Sequence, residues 1–225
     1  MCNQINFLFK TNFFSRAKVR LGEHRISTDP DCLKQTSVCN DSPQDFDVEK
    51  IIFHPDYNRP SVFRNDLAII KLDIPARFTD YVKPICLPFD HEENENYVET
   101  TFKNSTVFVA GWGATEERGR NPADALQKLQ VPIFDAEKCK EVYEGRGGIL
   151  DPASQMCAGG EPGKDSCVGD SGSALMREEK PKVGLWQYKI LGVVSFGPRL
   201  CGTKGVPGVY SKVRHYLPWI LDNLE

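Results

Sequence analysis

The chain has 225 residues, a net charge of −3 and an apolar content of 40%, which suffices for the core of one large all-β domain or two small ones. A nucleic-acid-binding protein normally shows clustered lysine and arginine on one face, and the charge pattern excludes this class. No apolar run approaches the roughly 20 residues that a membrane-spanning helix needs. We therefore expect neither a nucleic-acid partner nor a membrane association.

Short segments rich in valine, isoleucine and phenylalanine recur along the chain, each bounded by glycine, proline, asparagine or aspartate. In chain order they are AKVRLGE, VEKIIFH, DLAIIKL, STVFVAGWG, ALQKLQVPI, KILGVVSFG and GVYSKV. Helical periodicity is nearly absent until Tyr216, Trp219, Ile220 and Leu224, which fall on one face of a short amphipathic helix. The pattern predicts an all-β fold of antiparallel barrels or sandwiches. A duplicated small barrel fits the length, with the crossover near residues 113–122.

The cysteine pattern indicates an oxidising compartment. Cys32 and Cys39 flank a short polar loop, and Cys139 and Cys157 enclose a glycine-rich segment whose closure is worth about 3 kcal/mol. Such usage predicts an extracellular protein. No cysteine belongs to a C-x-x-C pair, so we expect no zinc site and no cofactor. The eight cysteines are Cys2, Cys32, Cys39, Cys86, Cys139, Cys157, Cys167 and Cys201.

The N-terminal segment does not resemble the secretion signal that the cysteine pattern leads us to expect. It is a poor signal peptide because it lacks a basic start and because Lys10 interrupts its apolar patch. Two N-glycosylation sequons, at Asn40 and Asn104, are compatible with secretion. The cysteines thus predict export without a signal for it, and we expect that residues are missing ahead of Met1.

The segment KDSCVGDSGSAL, residues 164–175, is typical of a nucleophilic serine. It places Ser171 between Asp170 and Gly172 on a tight turn. A serine hydroxyl becomes a strong nucleophile when a base, usually a histidine, takes its proton. The backbone N–H groups of Gly169 and Ser171 can point at one spot and form an oxyanion hole. For this motif alone, a turn without a chemical role remains the alternative.

Further segments occur in the order of a known family. Over roughly residues 19–225 the chain resembles a chymotrypsin-like serine protease of trypsin specificity. The resemblance implies two six-stranded antiparallel barrels, the first incomplete, and a short C-terminal helix. It also implies one peptidase domain over residues 1–225, with the N-terminal barrel in 1–115 and the C-terminal barrel and helix in 116–225. The matching segments are NDLAIIKL, VAGWG, MCAGG, KDSCVGDSGSAL, VVSFG, GVPGVYSKV and the WI at Trp219.

The resemblance gives Ser171 the role of the nucleophile and Asp66 that of the aspartate of the catalytic triad. A carboxylate beside the apolar strand LAII must be solvated or paired, because a lone buried charge is costly. The expected partners of Asp66 are a histidine and the hydroxyl of Ser195. Taken alone, Asp66 would more simply be a carboxylate that caps a strand.

The same resemblance implies a substrate pocket for a basic side chain. Asp165 matches the carboxylate at its base, which would pair with the arginine or lysine before the cleaved bond. Gly197 and Gly208 match its walls, and Ser166 and Ser195 complete the expected substrate-binding residues.

Three further cysteines and one carboxylate take their expected roles from the family. Cys167 and Cys201 match a disulfide beside the pocket. Asp170 matches the residue that pairs with a newly cut N-terminal amine after activation of a zymogen. Cys86 matches the cysteine that ties the catalytic domain to a propeptide or clip domain.

The short loop flanked by Cys32 and Cys39 narrows the resemblance to arthropod clip-domain proteases. These proteases act in extracellular immune and developmental cascades. This implies protein substrates and serpin-type inhibitors as partners. Glu23 lies where related enzymes sometimes begin a calcium loop, but the later ligands do not match, so we expect no metal.

The catalytic histidine has no match in this sequence. Cys2 matches the cysteine that follows it in the family, so Met1 would occupy its place. We therefore expect a trypsin-like endopeptidase whose sequence begins too late and which is inactive as given. The alternative is a non-catalytic homologue that acts as a binding or adaptor module. The histidines judged unsuitable as the base are His24, His54, His91 and His215.

Overall fold

A computed structural model of the chain describes residues 8–9, 18–33, 38–89, 106–116, 119, 121–179 and 186–224. Cys2, His91 and Asn104 of the sequence analysis lie outside these residues. Within the described ranges, no helix combines the length and the apolar character needed to cross a membrane.

Four antiparallel strands of the N-terminal part form the first sheet. They are β1 (Leu8–Phe9), β2 (Lys18–Leu21), β3 (Gln44–Phe53) and β4 (Ala68–Leu72). Their order across the sheet is β1-β4-β3-β2. Val19 of β2 pairs with Phe46 of β3, and Ile51 of β3 pairs with Ile70 of β4. Because side chains alternate along a strand, this register collects apolar side chains on one face.

Six antiparallel strands form the second sheet. They are β5 (Thr106–Gly111), β6 (Gln127–Pro132), β7 (Gln155–Gly159), β8 (Ala174–Glu179), β9 (Gln187–Phe196) and β10 (Pro207–Lys212). Their order is β6-β5-β8-β9-β10-β7. Beyond the end of β6, Ile133 forms an antiparallel bridge with Ala158 of β7. The two edges of the sheet therefore meet, which satisfies backbone groups that an open edge would leave unpaired.

The predicted crossover near residues 113–122, and with it the boundary at 115/116, differs from the structure. β5 ends at Gly111, before that point, yet it pairs with β6 and β8 and belongs to the second sheet. The change of sheet therefore falls between β4 and β5. Hydrogen bonding between distant segments decides the sheet to which a strand belongs, and the local sequence does not report it.

The two sheets share one apolar cluster. Leu67, directly before β4, and Ile69 of β4 pack against Ile190 and Val193 of β9. The C-terminal segment completes the cluster with buried Ile220 and Tyr216 and with partly buried Trp219 and Leu224. A 3-10 turn (Val213–Tyr216) leads into helix α2 (Leu217–Asp222), which confirms the predicted C-terminal helix.

Helix α1 (Ala136–Glu144) was not predicted. The side chain of Asp135 caps it by accepting a hydrogen bond from the Lys138 amide at 3.1 Å. Its buried side chains are Cys139 and Tyr143, four residues apart on one face. The apolar stripe is too narrow to give a strong helical period, because a disulfide and one tyrosine provide most of the contact.

Three disulfides have the pairings expected from the sequence: Cys32–Cys39, Cys139–Cys157 and Cys167–Cys201. Cys86 is disulfide-bonded as well. Its expected link to a propeptide or clip domain stays a prediction.

Candidate active site

Asp66 is buried two residues before β4, with 1% of its surface exposed. Its carboxylate oxygen Oδ2 accepts a hydrogen bond from the Ser195 hydroxyl of β9 at 2.6 Å. Its backbone carbonyl accepts another from the Ser211 hydroxyl of β10 at 2.7 Å. The partner predicted for Asp66, Ser195, is therefore confirmed. A short hydrogen bond from a hydroxyl fixes the orientation of a buried carboxylate.

Ser171 lies exposed on the turn before β8. The Gly172 amide donates to the Val194 carbonyl at 3.0 Å, and the Val194 amide donates to the Ser173 carbonyl at 2.9 Å. The turn is thus bonded to the residue of β9 directly before Ser195. Because Ser195 also bonds Asp66, adjacent residues of one strand bring Ser171 and Asp66 into the same region.

The peptide between Val168 and Gly169 has a fixed orientation. The Ala114 amide donates to the Val168 carbonyl at 2.8 Å. In a planar trans peptide the N–H points opposite to the C=O, so the Gly169 N–H is directed away from Ala114. Within the described residues neither this amide nor that of Ser171 donates a hydrogen bond. Both remain available for an oxyanion, and the oxyanion hole stays a prediction.

Gly169 is required by its surroundings. Its φ of +100° is a left-handed value that residues with a side chain rarely adopt. A Cβ at this position would also come within 3.0 Å of the Gly113 Cα. The turn that presents Ser171 therefore has the shape that only glycine permits.

The Asp170 carboxylate is bonded to the segment after β5 and to its own loop. Its Oδ1 accepts from the Gly113 amide at 2.9 Å, and its Oδ2 accepts from the Cys167 amide at 2.9 Å. Side chains at Gly111 or Gly113 would collide with it, since a Cβ would lie 2.1 or 2.4 Å from its atoms. A cavity of about 460 Å³ lies beside it and is also lined by Asp165 and by the Cys167–Cys201 disulfide.

Asp165 is a partly buried carboxylate with an unused oxygen. Its Oδ2 accepts from the Gly202 amide at 3.1 Å. Its Oδ1 is buried and has no hydrogen-bond partner in the described part of the chain. Burial raises the pKa of Asp165 to about 6, although the amides of Gly202 and Ser166 oppose the shift. A buried acceptor without a donor is costly, and a cationic ligand would satisfy it.

Two glycines lie near Asp165, where the family resemblance places the walls of the pocket. A Cβ on Gly208 would lie 3.1 Å from Asp165 Oδ1, and a Cβ on Gly197 would lie 3.8 Å from the Gly208 Cα. The Ser166 hydroxyl lies 3.3 Å from the Tyr210 hydroxyl, which fixes the wall next to the carboxylate. The structure therefore brings Asp165, Ser166, Gly197 and Gly208 together, and their role in substrate binding stays a prediction.

The anchors of the loop that carries Asp66 were missed by the sequence analysis. Arg64 forms an ion pair with Asp151 at 2.8 Å, and the Gln155 side chain donates to the Phe63 carbonyl at 3.1 Å. The Tyr216 hydroxyl donates to the Asn65 side chain at 3.1 Å. The one sequence signal for these anchors was the motif NDLAIIKL, which contains Asn65 but does not indicate the residue that bonds it.

The aromatic wall near this loop was also missed. The rings of Phe63 and Phe196 stack at 4.9 Å, and Tyr143 meets Phe196 edge-on at 5.5 Å. Phe63 has a φ of 63°, an uncommon value for a bulky residue. Nothing in the local sequence distinguishes it from an ordinary apolar residue.

The three described histidines have surroundings other than the triad. The His24 backbone and side chain lie in an exposed loop beside Glu23. His54 packs on the rings of Tyr216 and Trp219, its Nδ1 accepts from the Asp56 amide, and burial lowers its pKa. The His215 ring is exposed and meets Tyr216 edge-on.

Glu23, the residue considered for calcium, is paired with an arginine. The Arg20 guanidinium contacts the Glu23 carboxylate at 3.1 Å and bonds Asp45 with two nitrogens, each at 2.7 Å. Among the described residues, no three histidine, cysteine, aspartate or glutamate side chains are grouped in a way that could hold a metal ion.

Comparison with known proteins agrees with this geometry. The family model described as Trypsin matches residues 16–220. The chain is 42% identical over 210 residues to the CLIP domain-containing serine protease HP8 of Bombyx mori, covering 93% of this chain and 54% of that protein. It is 43% identical over 210 residues to Phenoloxidase-activating factor 1 of Holotrichia diomphalia, covering 92% of this chain and 53% of that protein. The chain thus spans about half the length of the curated relatives it matches.

A solved structure shows the same architecture. The crystal structure of the Drosophila Grass clip serine protease of the Toll pathway superposes with a TM-score of 0.76 at 35% identity. The match covers 92% of this chain and 56% of that one. The predicted fold class, all-β with two antiparallel sheets and a short C-terminal helix, is confirmed.

Proposed function

The chain belongs to the trypsin family of serine proteases, and from this premise we propose that it is an endopeptidase domain that cleaves peptide bonds after arginine or lysine. The observation that carries the specificity is Asp165, whose buried Oδ1 has no donor among the described residues and lies next to Gly208. A guanidinium or ammonium group supplies the missing donors and the compensating charge.

In the proposed reaction, the Ser171 hydroxyl attacks the carbonyl carbon of the bond after the basic residue. A histidine takes the hydroxyl proton and later gives it to the leaving amine, and Asp66 holds that histidine in one tautomer. The amides of Gly169 and Ser171 donate to the oxyanion as it forms. The fixed peptide before Gly169 supports this role, because a donor that is oriented in advance needs no reorganisation.

The base is the member of the triad that this sequence does not supply. The family's triad uses a histidine for this role. Without that histidine we expect the chain as given to be nearly inactive, since the loss of a triad histidine removes about six orders of magnitude in turnover.

The cavity beside Asp170 supports activation of a zymogen. We propose that a newly cut N-terminal amine enters it and forms an ion pair with the Asp170 carboxylate. The amides of Gly113 and Cys167 donate to Asp170 and hold its carboxylate beside the cavity that the amine would enter.

The names of the relatives support an extracellular cascade as the setting. They include a phenoloxidase-activating factor and a Spaetzle-processing enzyme. We propose secretion, protein substrates with arginine or lysine before the cleaved bond, and serpin-type inhibitors as partners. A link to a propeptide or clip domain through Cys86 would require exchange of the disulfide that this cysteine now makes.

A second candidate is a non-catalytic homologue that binds basic segments of other cascade proteins. It is favoured by the three described histidines, none of which sits in the place of a triad base. Both candidates use the pocket at Asp165, so they differ only in turnover.

Binding of p-aminobenzamidine, followed by its fluorescence, tests the pocket that both candidates share. We expect the 225-residue chain to bind this benzamidinium. The Asp165→Asn variant should lose at least about thirtyfold in affinity, because removing one partner of a buried charge pair costs about 2–5 kcal/mol. The matched control is Glu161→Gln, an exposed carboxylate paired with Lys164, which should leave binding unchanged. Equal binding by the wild type and Asp165→Asn would refute the pocket.

Turnover separates the two candidates. Joined to an N-terminal segment that supplies the histidine, and activated by cleavage, the chain should hydrolyse arginine and lysine anilides and not leucine or glutamate ones. The Ser171→Ala variant is expected to lose this activity. Benzamidine binding without any hydrolysis would instead identify the adaptor.

A further inference from the structure

Asn40 lies in the sequon Asn40-Asp41-Ser42, between a disulfide and the first residue of β3. We propose that Asn40 carries an N-linked oligosaccharide and that this glycan covers an exposed apolar pair, Leu33 and Val38. The proposal rests on the extracellular setting proposed above, but it concerns a part of the surface that the active site does not use.

The acceptor groups of the sequon are accessible. Asp41 and Ser42 are exposed, Asn40 is half-buried, and residues 40–43 belong to no helix or strand. The Asn40 backbone is held, since its amide donates to the Asp31 carbonyl at 2.9 Å. Its side-chain amide and the Ser42 hydroxyl make no hydrogen bond with the described residues. Modification of this amide therefore costs the fold no internal hydrogen bond.

The local pairing decides the direction in which a glycan would extend. Cys32 and Cys39 form an antiparallel bridge, and next to it the Leu33 amide donates to the Val38 carbonyl at 2.8 Å. Side chains alternate between the two faces of such a ribbon. The disulfide therefore occupies one face, and Asn40 shares the other face with Leu33 and Val38.

Leu33 and Val38 have a reason to be covered. They are 65% and 57% exposed, on a loop tied down at its base by the disulfide. Two apolar side chains that are paired and exposed to water form a small hydrophobic patch. Such a patch at the edge of a ribbon favours self-association. A bulky hydrophilic chain that starts two residues from Val38 on the same face would keep other protein surfaces away from them.

The chemistry of attachment is a group transfer from a lipid-linked oligosaccharide pyrophosphate. A bond forms between the Asn40 side-chain nitrogen and the anomeric carbon of the sugar. The bond from that carbon to the pyrophosphate oxygen breaks, the amide loses one proton, and the lipid pyrophosphate leaves. No oxidant or reductant is needed.

The test is expression of the whole chain in insect cells behind an added secretion signal, followed by mass spectrometry of its peptides. We expect the peptide that contains Asn40 to be heavier by one oligosaccharide and to lose that mass on treatment with peptide-N-glycosidase. Asn40→Gln and Ser42→Ala should both abolish the shift. Asn104→Gln should leave it in place. An unmodified Asn40 in the secreted chain overturns the proposal, whether or not Asn104 is modified.

Covering is measured with a dye that fluoresces on apolar surfaces. Enzymatic removal of the glycan, Asn40→Gln and Ser42→Ala should all raise dye binding and self-association relative to the glycosylated chain. Adding Leu33→Ser to Asn40→Gln should reverse the rise. A modified Asn40 without this difference overturns the covering. The benzamidine test of the proposed function does not depend on the glycan, so the two proposals can fail separately.

Discussion

The two sheets differ in how completely they bury their own strands. Every residue of β7 and β10 in the second sheet is buried, whereas β2 and β3 of the first sheet are mostly exposed or half-buried. The second sheet also closes on itself and is joined to α1 by the Cys139–Cys157 disulfide. The first sheet depends on its neighbour, because its buried residues Leu67 and Ile69 pack on β9 and the C-terminal helix.

The difference matters for the candidate site. The pocket residues Asp165, Gly197 and Gly208 all come from the second sheet and its loops. Asp66 comes from the first, yet both hydrogen bonds described for it come from the second, through Ser195 and Ser211. The second sheet and its loops therefore supply these three residues of the proposed specificity pocket, and the second sheet also positions the carboxylate that its neighbour contributes.

The largest expected effect compares two adjacent isoleucines of β4. Ile69 packs in the cluster shared by both sheets, and Ile70 packs only among residues of the first. Ile69→Ala should lower the free energy of unfolding by about 4 kcal/mol, and Ile70→Ala by about 2 kcal/mol, because partly exposed neighbours can collapse into the smaller site. Urea unfolding of both variants measures this. Equal losses would mean that the first sheet does not depend on the second.

The next effect compares the two serines that bond Asp66. Ser195→Ala removes a donor from a buried charge and should cost about 1.5–3 kcal/mol, whereas Ser211→Ala removes a donor from a neutral carbonyl and should cost about 1 kcal/mol. Chemical denaturation at neutral pH measures both. If Ser195→Ala costs no more than Ser211→Ala, the second sheet does not hold the Asp66 carboxylate.

The pH dependence of benzamidine binding tests whether the pocket depends on Asp165. Burial raises the pKa of Asp165 to about 6, and a benzamidinium binds its ionised form. Affinity should be constant above about pH 7 and fall about tenfold per unit well below pH 6. Titration calorimetry across this range measures it. A flat profile down to pH 4.5 would place the binding charge elsewhere.

The stability of the ligand-free protein should depend on pH in the opposite direction to the affinity for benzamidine. Since the folded pKa of Asp165 lies above its unfolded value, its contribution to stability is full below the unfolded pKa and is lost as the pH rises through about 6. Thermal melting with and without benzamidine should therefore diverge as the pH rises, with the ligand restoring stability.

The smallest effect compares two exposed aspartates. Asp124 accepts three hydrogen bonds from Arg25 and Ser27 and so joins the loop after β2 to the segment before β6. Among the described residues, the Asp47 side chain is paired with Lys18, and both are exposed. Asp124→Ala should lower the melting temperature by a small measurable amount, and Asp47→Ala should leave it unchanged. Equal melting temperatures of the two variants would mean that the contacts of Asp124 do not stabilise the junction of the sheets.

Local sequence was sufficient to predict those features in which function constrains neighbouring residues. The segment around Ser171 carries the glycines that its turn requires, and Gly169 shows why, since its φ of +100° and its contact with Gly113 permit no side chain. The strand segments were identified because alternation and β-branched residues report burial on one face. The bracket of Cys32 and Cys39 was likewise visible from the loop that it closes.

Some parts of the fold had no local signal. Helix α1 has too few apolar residues for a strong period, and β5 gives no sign that it pairs with β6 and β8. Phe63 and Gln155 are distant in sequence and meet only in the folded chain.

The sequence by itself determined the family, the positions of the candidate nucleophile and acids, and the closed-loop disulfides, because each depends on residue types at short spacing. Only the tertiary structure decided which oxygen of Asp165 has no donor among the described residues, which serines hold Asp66, and which sheet β5 joins. These are properties of contacts between residues far apart in the chain. Their free energy depends on distance and burial, which the order of residues does not specify.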